Sequence, residues 1–370
     1  MNTVAYFFFQ NMALIIAFMF LYIKLKDFFL ERKITSFLLI SPLLASFLSL
    51  VVMLHPLEYE GMKLDLREVP LFFISFIGGW KWGLVSSILP SLYRFSLGGP
   101  TVIEGIMQSI LLPVLIGSLF YGKGNFIPET TILNLKKLIG TLLLFEVIKS
   151  ILMIITTPIT VQLSFIMSIF AVLAVLGMGL MLNDANRSNM MKKELLYLSN
   201  HDSLTHLPNI RWFKEEAQKQ LDKKSKVAIA MFDVDYFKKF NDTNGHQAGD
   251  EVLRDLSQLL ADHIGKEALI ARYGGEEFII FYKNATNRVY IEDVISRFKD
   301  KIEQFPFIGR ENIPEQKVTI SVGISFSNSN DSLENMIKEA DQALYESKNS
   351  GRNKVTVYSE GQTKSIIEPS

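Results

Sequence analysis

Cysteine is absent from the 370 residues. That excludes a disulfide framework, a thiol nucleophile and a thiolate metal site. Charge is scarce, at 21% of residues, and balanced, with 38 Lys+Arg against 38 Asp+Glu. A nucleic-acid binder needs a concentrated basic face, so no nucleic-acid partner is expected. Glycine (22) and proline (12) are too few for a collagen-like or low-complexity chain.

Apolar side chains are in excess instead, at 49% of residues with 28 Phe. The excess is uneven. Residues 1–183 hold 12 basic and 9 acidic side chains, leaving 26 and 29 for residues 184–370. Six apolar runs fill the first half: Val4–Ile23, Phe37–Met53, Leu71–Tyr93, Val102–Tyr121, Leu138–Thr157 and Val161–Leu182. Most are long enough to cross a hydrocarbon core of ~30 Å as helices. The first lacks the basic lead and small-residue cleavage site of a signal peptide.

Loop charge sets the expected orientation. Segment 24–36 carries Lys24, Lys26, Arg32 and Lys33 against Asp27 and Glu31, whereas segment 55–69 carries Glu58, Glu60, Asp65 and Glu68 against Lys63 and Arg67. The first reads as cytoplasmic and the second as external. The N-terminus is then outside and the charged second half inside, which needs an odd number of crossings. Val102–Tyr121, following Leu97-Gly98-Gly99-Pro100 and containing Glu104 and Gln108, is expected to be re-entrant, leaving five. Six crossings with an inside start is the alternative.

Lys81, Arg94, Glu104, Gln108, Glu146 and Lys149 lie where lipid penalises them. Such groups face a bundle interior, a partner or a cavity, or snorkel to the interface. Asp65-Leu66-Arg67, Gly78-Gly79, Tyr93-Arg94, Gly98-Gly99-Pro100 and Gly105 resemble the LytS/YhcK-type five-transmembrane sensor module over about residues 5–180. The resemblance implies a receptor embedded in the lipid bilayer of a bacterial cell membrane, ahead of a cytoplasmic output, with a ligand it does not name. A transporter is the competing reading of this half.

From Asn183 to His201 the chain turns polar, with Met191, Leu195 and Leu198 at helical spacing. Such a stripe suits a short parallel two-helix contact or a helix packed on its own domain. The expected division is 1–182 transmembrane sensor, 183–201 helical linker, 202–358 output domain and 359–370 flexible tail.

Lys226–Phe232 is an apolar strand running into Asp233-Val234-Asp235. A helical period over Asp250–Leu260 follows, then strands at Leu269–Arg272 and Glu277–Tyr282 joined through Gly274-Gly275, a hairpin signal. A helix at Arg288–Gln304, a strand at Lys317–Phe326, a helix at Ser332–Lys348 and a strand at Lys354–Tyr358 complete a βαββαβ order. The fold class expected is a multi-pass α-helical membrane domain followed by a ferredoxin-like or palm-like α/β sandwich around a mostly antiparallel sheet.

Asp233 and Asp235 are two apart, so on a strand they face the same way. Glu276 and Glu277 follow the glycine turn and face opposite ways. One glutamate can join the aspartates in an all-oxygen site suited to Mg2+ or Mn2+, although solvated turn acids would look the same. Asn241 and Asp250 can read a guanine edge, Asp accepting from N–H groups. Lys348 and Arg352 flank Gly351 behind the last helix and can pair with phosphate oxygens. Acids, a purine-reading pair and a phosphate clamp on one palm describe nucleotidyl transfer.

Gly274-Gly275-Glu276-Glu277-Phe278, with Asp202-x-Leu204-Thr205-x-Leu207-Pro208-Asn209, Asp233-x-Asp235-x-Phe237-Lys238-x-x-Asn241-Asp242, Gly245-His246-x-x-Gly249-Asp250, Arg272-Tyr273, Ser321-Val322-Gly323 and the run from Ala340 to Asn353, resembles the GGDEF family of diguanylate cyclases over about residues 199–358. The resemblance implies joining of two GTP into cyclic di-GMP with release of two pyrophosphates, across a pair of domains. It implies two Mg2+ or Mn2+ per site on Asp233, Glu276 and the Val234 carbonyl, with Glu277 shaping the site or assisting deprotonation. Asn241 and Asp250 would read guanine, while Phe237, Lys238, Lys348 and Arg352 hold phosphates. Asp235 is expected to stabilise its loop, Arg272 to make an ion pair below the hairpin, and His246 to be a turn residue. Two departures are visible: His206 stands where the family often has Gly, and Gly265 and Ala268 replace the Arg-x-x-Asp of a product-inhibition site, so no feedback is expected there. The alternative is a catalytically degenerate module that binds GTP or a cyclic dinucleotide and signals by contact.

Overall fold

The computed structural model describes residues 2–32, 34, 39–121, 130–221, 226–264, 268–314, 316–327 and 332–359. Gly265 and the tail expected from 359 onward, apart from Ser359 itself, lie outside the described residues. The chain divides into two compact units, Met1–Lys193 and Glu194–Ser370.

The first unit is helical: α1 (Asn2–Glu31), α2 (Ser41–Met53), a short hairpin of β1 (Leu57–Tyr59) and β2 (Met62–Leu64), α3 (Glu68–Ser96), α4 (Val102–Ile106), a π turn (Met107–Leu111), α5 (Leu112–Leu119), α6 (Leu135–Thr156) and α7 (Val161–Asn200). The division between units falls within α7. Among the described residues, five helices are long and apolar enough to cross a membrane: α1, α3, the joined α4–α5, α6 and α7. Ser41–Met53 is not among them, because 13 residues span only about 20 Å.

Hydrogen bonds show which ends of these helices lie together. At one end Asn11 accepts from the Leu66 N–H (3.4 Å), Ser49 donates to the Arg67 carbonyl (2.8 Å) and Gln108 donates to Thr156 (2.9 Å). At the other, Tyr22 meets Ser41 (3.0 Å), Lys26 donates to Asn186 (2.7 Å) and Asn183 accepts from the Leu133 N–H (2.7 Å). By these contacts α1, α2 and α6 each run from one end of the bundle to the other.

Helix α3 does not. Gly79 breaks it (φ 74°, ψ −172°), and a Cβ placed on Gly83 would lie 2.3 Å from Ser75 Oγ, eight residues earlier. Along a straight helix that separation is about 12 Å. The two halves of α3 therefore fold back on each other, and Arg94 returns to the end that holds Arg67. The fold-back thus lies in 68–96, whereas the re-entrant element was expected at Val102–Tyr121; Val102–Leu119 is long and apolar enough to cross. Hydropathy cannot separate a hairpin of two apolar halves from one long span. The first unit is thus a multi-pass membrane region, and the C-terminal domain that follows it is cytoplasmic.

The second unit is an α/β sandwich. Its sheet has the order β4-β5-β3-β6-β7, with β3 (Ala228–Val234), β4 (Ala268–Gly274), β5 (Glu277–Tyr282), β6 (Ile320–Phe326) and β7 (Val355–Val357). Only β6–β7 is parallel; β3 is central, antiparallel to both β5 and β6. Each of its residues is buried, so it reads as a continuous apolar run rather than an alternation. Its side chains still divide by period 2. Ala228, Ala230, Phe232 and Val234 join the core with α10 (His246–Ile264) and α11 (Arg288–Gln304). Ile229 and Met231 join the core with α8 (Ile210–Leu221) and α12 (Leu333–Asn349). The next odd positions, 233 and 235, are the two aspartates.

The hairpin in α3 yields a stability prediction. Gly83→Leu drives its side chain into Ser75 and Val114, whereas Gly140 has nothing within 4 Å of an added Cβ. Full-length protein carrying Gly83→Leu is expected to melt several degrees lower in detergent, or to be lost from the monodisperse fraction. Gly140→Leu is expected to match the parent, as read by a thermal melt followed by size exclusion.

Candidate active site

The site is built at the exit of β3. Asp233 pairs in register with Glu277 of β5 on one side and Ser321 of β6 on the other. Its odd position turns the carboxylate toward α12, where Lys348 Nζ lies 2.8 Å from Oδ2. Burial pushes the Asp233 carboxyl up to about 6; Lys348 opposes that rise, and Glu276 and Glu277 add to it by repulsion. Glu277 is also raised, by burial first, with Asp341 and Glu276 adding to it and Lys348 opposing.

Glu276 sits in the turn between β4 and β5, where Gly275 has φ 54°. Arg272 holds that turn by donating to the Gly275 carbonyl (2.9 and 2.6 Å) and pairs with Asp202 (2.8 Å). The expected ion pair below the hairpin is therefore present. Asp202 also accepts from the Thr205 hydroxyl and N–H (2.7 and 2.9 Å). The turn places His206 at φ 57°, in the left-handed backbone region that favours glycine.

Helix α9 (Phe237–Asn244) starts directly after the strand, with Tyr236 at its N-cap in a left-handed conformation (φ 56°). Its first turn leaves free N–H groups, including those of Phe237 and Lys238, suited to an anion. Near its other end, Asn241 Oδ1 is buried with no hydrogen-bond partner. Gly249 makes room for it, since a Cβ there would lie 1.8 Å away, and Asp250 follows in α10. A buried bare carbonyl oxygen is the acceptor that a ligand N–H would satisfy.

Arg352 lies over the Tyr236 ring, 4.3 Å from its centroid, with Nη1 donating to the hydroxyl (3.1 Å). Sequence reasoning missed this contact. Among the described residues no group of three or more His, Asp or Glu side chains is gathered as a cation site; Lys348 is the cation that meets Asp233. The hard oxygen donors of Asp233, Glu276 and the Val234 carbonyl nevertheless suit Mg2+ or Mn2+.

A family model described as diguanylate cyclase, GGDEF domain, matches residues 199–354. Residues 199–354 are a GGDEF domain. The model of the 5TMR of 5TMR-LYT matches residues 20–187, so a multi-pass sensor module precedes it. An uncharacterized membrane protein of Staphylococcus epidermidis is 27% identical over 355 residues, 93% of this chain and 96% of its own length. Diguanylate cyclase A of Treponema denticola is 35% identical over 174 residues, 44% of this chain and 46% of its own. Among solved structures, the coiled coil and GGDEF domain of DgcB from Caulobacter crescentus, in complex with c-di-GMP, is similar at 27% identity. It covers 47% of this chain and 93% of that one, with TM-score 0.44.

The membrane unit has its own polar cavity, of about 30 Å3, lined by Arg67, Arg94, Thr101, Glu104, Gln108 and Thr157 among others. Arg67 is paired with Asp65 (2.5 Å), and Arg94 donates to the Gly98 and Thr101 carbonyls (3.0 and 2.9 Å). Even so, Arg67 Nη1, Arg94 Nε and Glu104 Oε2 are buried without partners. Glu146 and Lys149 pair with each other (2.7 Å), and Lys149 with Glu68 (2.8 Å), so these two expected candidates are structural partners. Lys81 lies over Trp80 instead, 5.8 Å from the ring centroid.

A divalent cation held by Asp233 of the GGDEF domain would compete with a proton for the carboxylate. With that carboxyl raised to about 6, proton occupancy grows as pH falls through that value. The Mn2+ concentration for half-saturation, titrated by spin-resonance on the full-length protein with GTP, is expected to be steady above pH 7. Below 6 it is expected to rise about tenfold per pH unit.

Proposed function

We propose that the chain is a membrane-bound diguanylate cyclase whose GGDEF domain joins two GTP into cyclic di-GMP and two pyrophosphates under control of its N-terminal module. The observation that carries this reading is the juxtaposition at the exit end of the central strand. Asp233, with Glu276 and Glu277 near enough to repel it, ends the strand beside Lys348. The next helix holds a buried, unpartnered Asn241 oxygen.

In this reading Asn241 and Asp250 take the guanine edge. The N–H groups around Phe237 and Lys238, with Lys348 and Arg352, hold the triphosphate. Asp233, the Val234 carbonyl and Glu276 hold Mg2+ or Mn2+, two per site, which when bound polarise the phosphate and activate the attacking oxygen. On loading, Lys348 exchanges its pairing with Asp233 for phosphate oxygens. Glu277 borders the ribose and assists loss of the 3′-hydroxyl proton. Each 3′-hydroxyl attacks the α-phosphate held by the partner domain, so two copies must face each other and pairing is the point of control. Residues 183–201 are the linker in this scheme, with Met191, Leu195 and Leu198 exposed on α7 as the self-association stripe.

The module's ligand is read at the cavity of Arg67, Arg94 and Glu104, whose three bare polar atoms an ionic or strongly polar ligand would satisfy.

Purified full-length protein given GTP and Mg2+ is expected to yield cyclic di-GMP by mass spectrometry, with Glu276→Gln reducing the rate roughly 10²-fold or more. Product-free parent that is folded, dimeric and GTP-bound would overturn the reading in favour of a binding module. Arg94→Gln is expected to move the basal rate of the full-length protein about fivefold or more in one direction while leaving the rate of the isolated 184–370 segment as the reference.

A further inference from the structure

Asp235 is the acid at the site that the proposed reaction leaves unused. It is 8% exposed, and its carboxylate accepts three hydrogen bonds. Thr319 Oγ1 (2.7 Å) and the backbone N–H of Asn353 (3.0 Å) donate to Oδ2, and Ser321 Oγ (2.7 Å) donates to Oδ1. Two donors come from β6 and the residues leading into it. The third belongs to the segment that carries Arg352.

That segment has an unusual backbone. Gly351, Arg352 and Asn353 have φ of 114°, 60° and 48°. Two successive non-glycine residues with positive φ cost free energy, and they persist only where the surroundings over-determine them. The surroundings do so here. The Arg352 N–H donates to the Ser347 carbonyl (3.0 Å). The Asn353 side chain donates to Glu303 (2.9 Å) and accepts from Lys299 (3.3 Å). Its backbone N–H is taken by Asp235. On the other side, Asp235 directly precedes Tyr236, the left-handed N-cap of α9 whose ring lies under Arg352. One residue thus ties together the two backbone segments that border the phosphate site.

We propose that Asp235 is a positioning residue for the triphosphate: through the Asn353 N–H it holds residues 351–353 in the conformation that directs Arg352 across the start of α9, and it is not a metal ligand. This rests on reading the site as a GTP site. The guanine-reading pair lies elsewhere, at the end of α9 and in α10, so loosening the 351–353 segment weakens the grip on phosphates and leaves the base contacts as they are.

The test compares parent, Asp235→Asn and Ser321→Ala in the full-length protein, by calorimetric titration with GTP and with GMP, and by Mg2+ titration. For Asp235→Asn, GTP affinity is expected to fall roughly tenfold, the weight of one charge-assisted hydrogen bond, with GMP affinity and half-saturating Mg2+ unchanged. Ser321→Ala, which keeps the carboxylate and loosens it, is expected to show the same selectivity at smaller size. The loss is also expected to vanish in an Arg352→Ala background. Equal losses for GTP and GMP would make Asp235 merely structural, a shifted Mg2+ requirement would make it a metal ligand, and unaltered GTP binding would remove the role; each overturns the proposal. A parent that binds GTP through Arg352 but forms no cyclic product defeats the cyclase reading and leaves this inference standing.

Discussion

A charge removed from water must be matched by another charge or by hydrogen bonds, and in this protein that constraint places the working parts of both units. In the membrane unit Lys149 is 1% exposed and lies between Glu68 and Glu146 at 2.8 and 2.7 Å. In the soluble unit Lys348 answers Asp233. The difference lies in what remains bare. Breaking a buried pair by removing one partner is costly, because the other charge stays unmatched. The triad joins α3 to α6 and acts as a fixed crosslink. The Asp233–Lys348 pair stands at the end of the central strand among two further carboxylates, so in the proposed reading a cation and a polyphosphate replace both members at once without leaving either unmatched.

The same logic explains how one strand can be core and site together. Strand β3 is paired along both edges and covered on both faces, so its direction and side-chain alternation are fixed well before its last residue. Asp233 and Asp235 inherit that alternation and share the α12 side, yet they meet different neighbours. Asp233 finds one cation and two repelling glutamates, which leaves it raised and exchangeable. Asp235 finds three donors and is committed. Two acids of identical type, two residues apart, are thus given different surroundings by what the adjacent strand and loop present to them, and the proposed reading makes one a ligand and the other an anchor.

Much of the soluble unit was legible because its signals are local. The βαββαβ order follows from apolar runs and periods, and the Gly274-Gly275 turn lies between β4 and β5 where two glycines place it. Membership of the GGDEF family, and the acids at the hairpin, follow from motifs whose spacing is fixed by that fold. What stayed illegible depended on contacts between distant segments. The Asp235 anchor joins residues 118 positions apart, and positive φ at Tyr236 and Arg352 is not encoded by residue types that avoid it. In the membrane unit the break falls at Gly79, but the Ser75–Gly83 approach that makes α3 a hairpin is a packing fact. The fold-back was therefore expected one run too late.

The α3 hairpin also bears on what a sensor of this design can detect. Because its two halves start and finish at one end of the bundle, Arg67 and Arg94, 27 positions apart in sequence, come to border one cavity with Glu104. Each arginine keeps one bare nitrogen there even though its other donors are engaged. A group that satisfied those atoms would bridge the root of the hairpin, its return limb and the start of α4, three segments that are otherwise joined by loops. Ligand binding then stabilises one arrangement of the hairpin over others in proportion to its differential affinity for them. The buried Glu68–Lys149 pair, one residue beyond Arg67, extends the same linkage to α6. A cavity at a helix end can thus bias the packing of the bundle through side chains already locked together, with no need for the ligand to reach the far end.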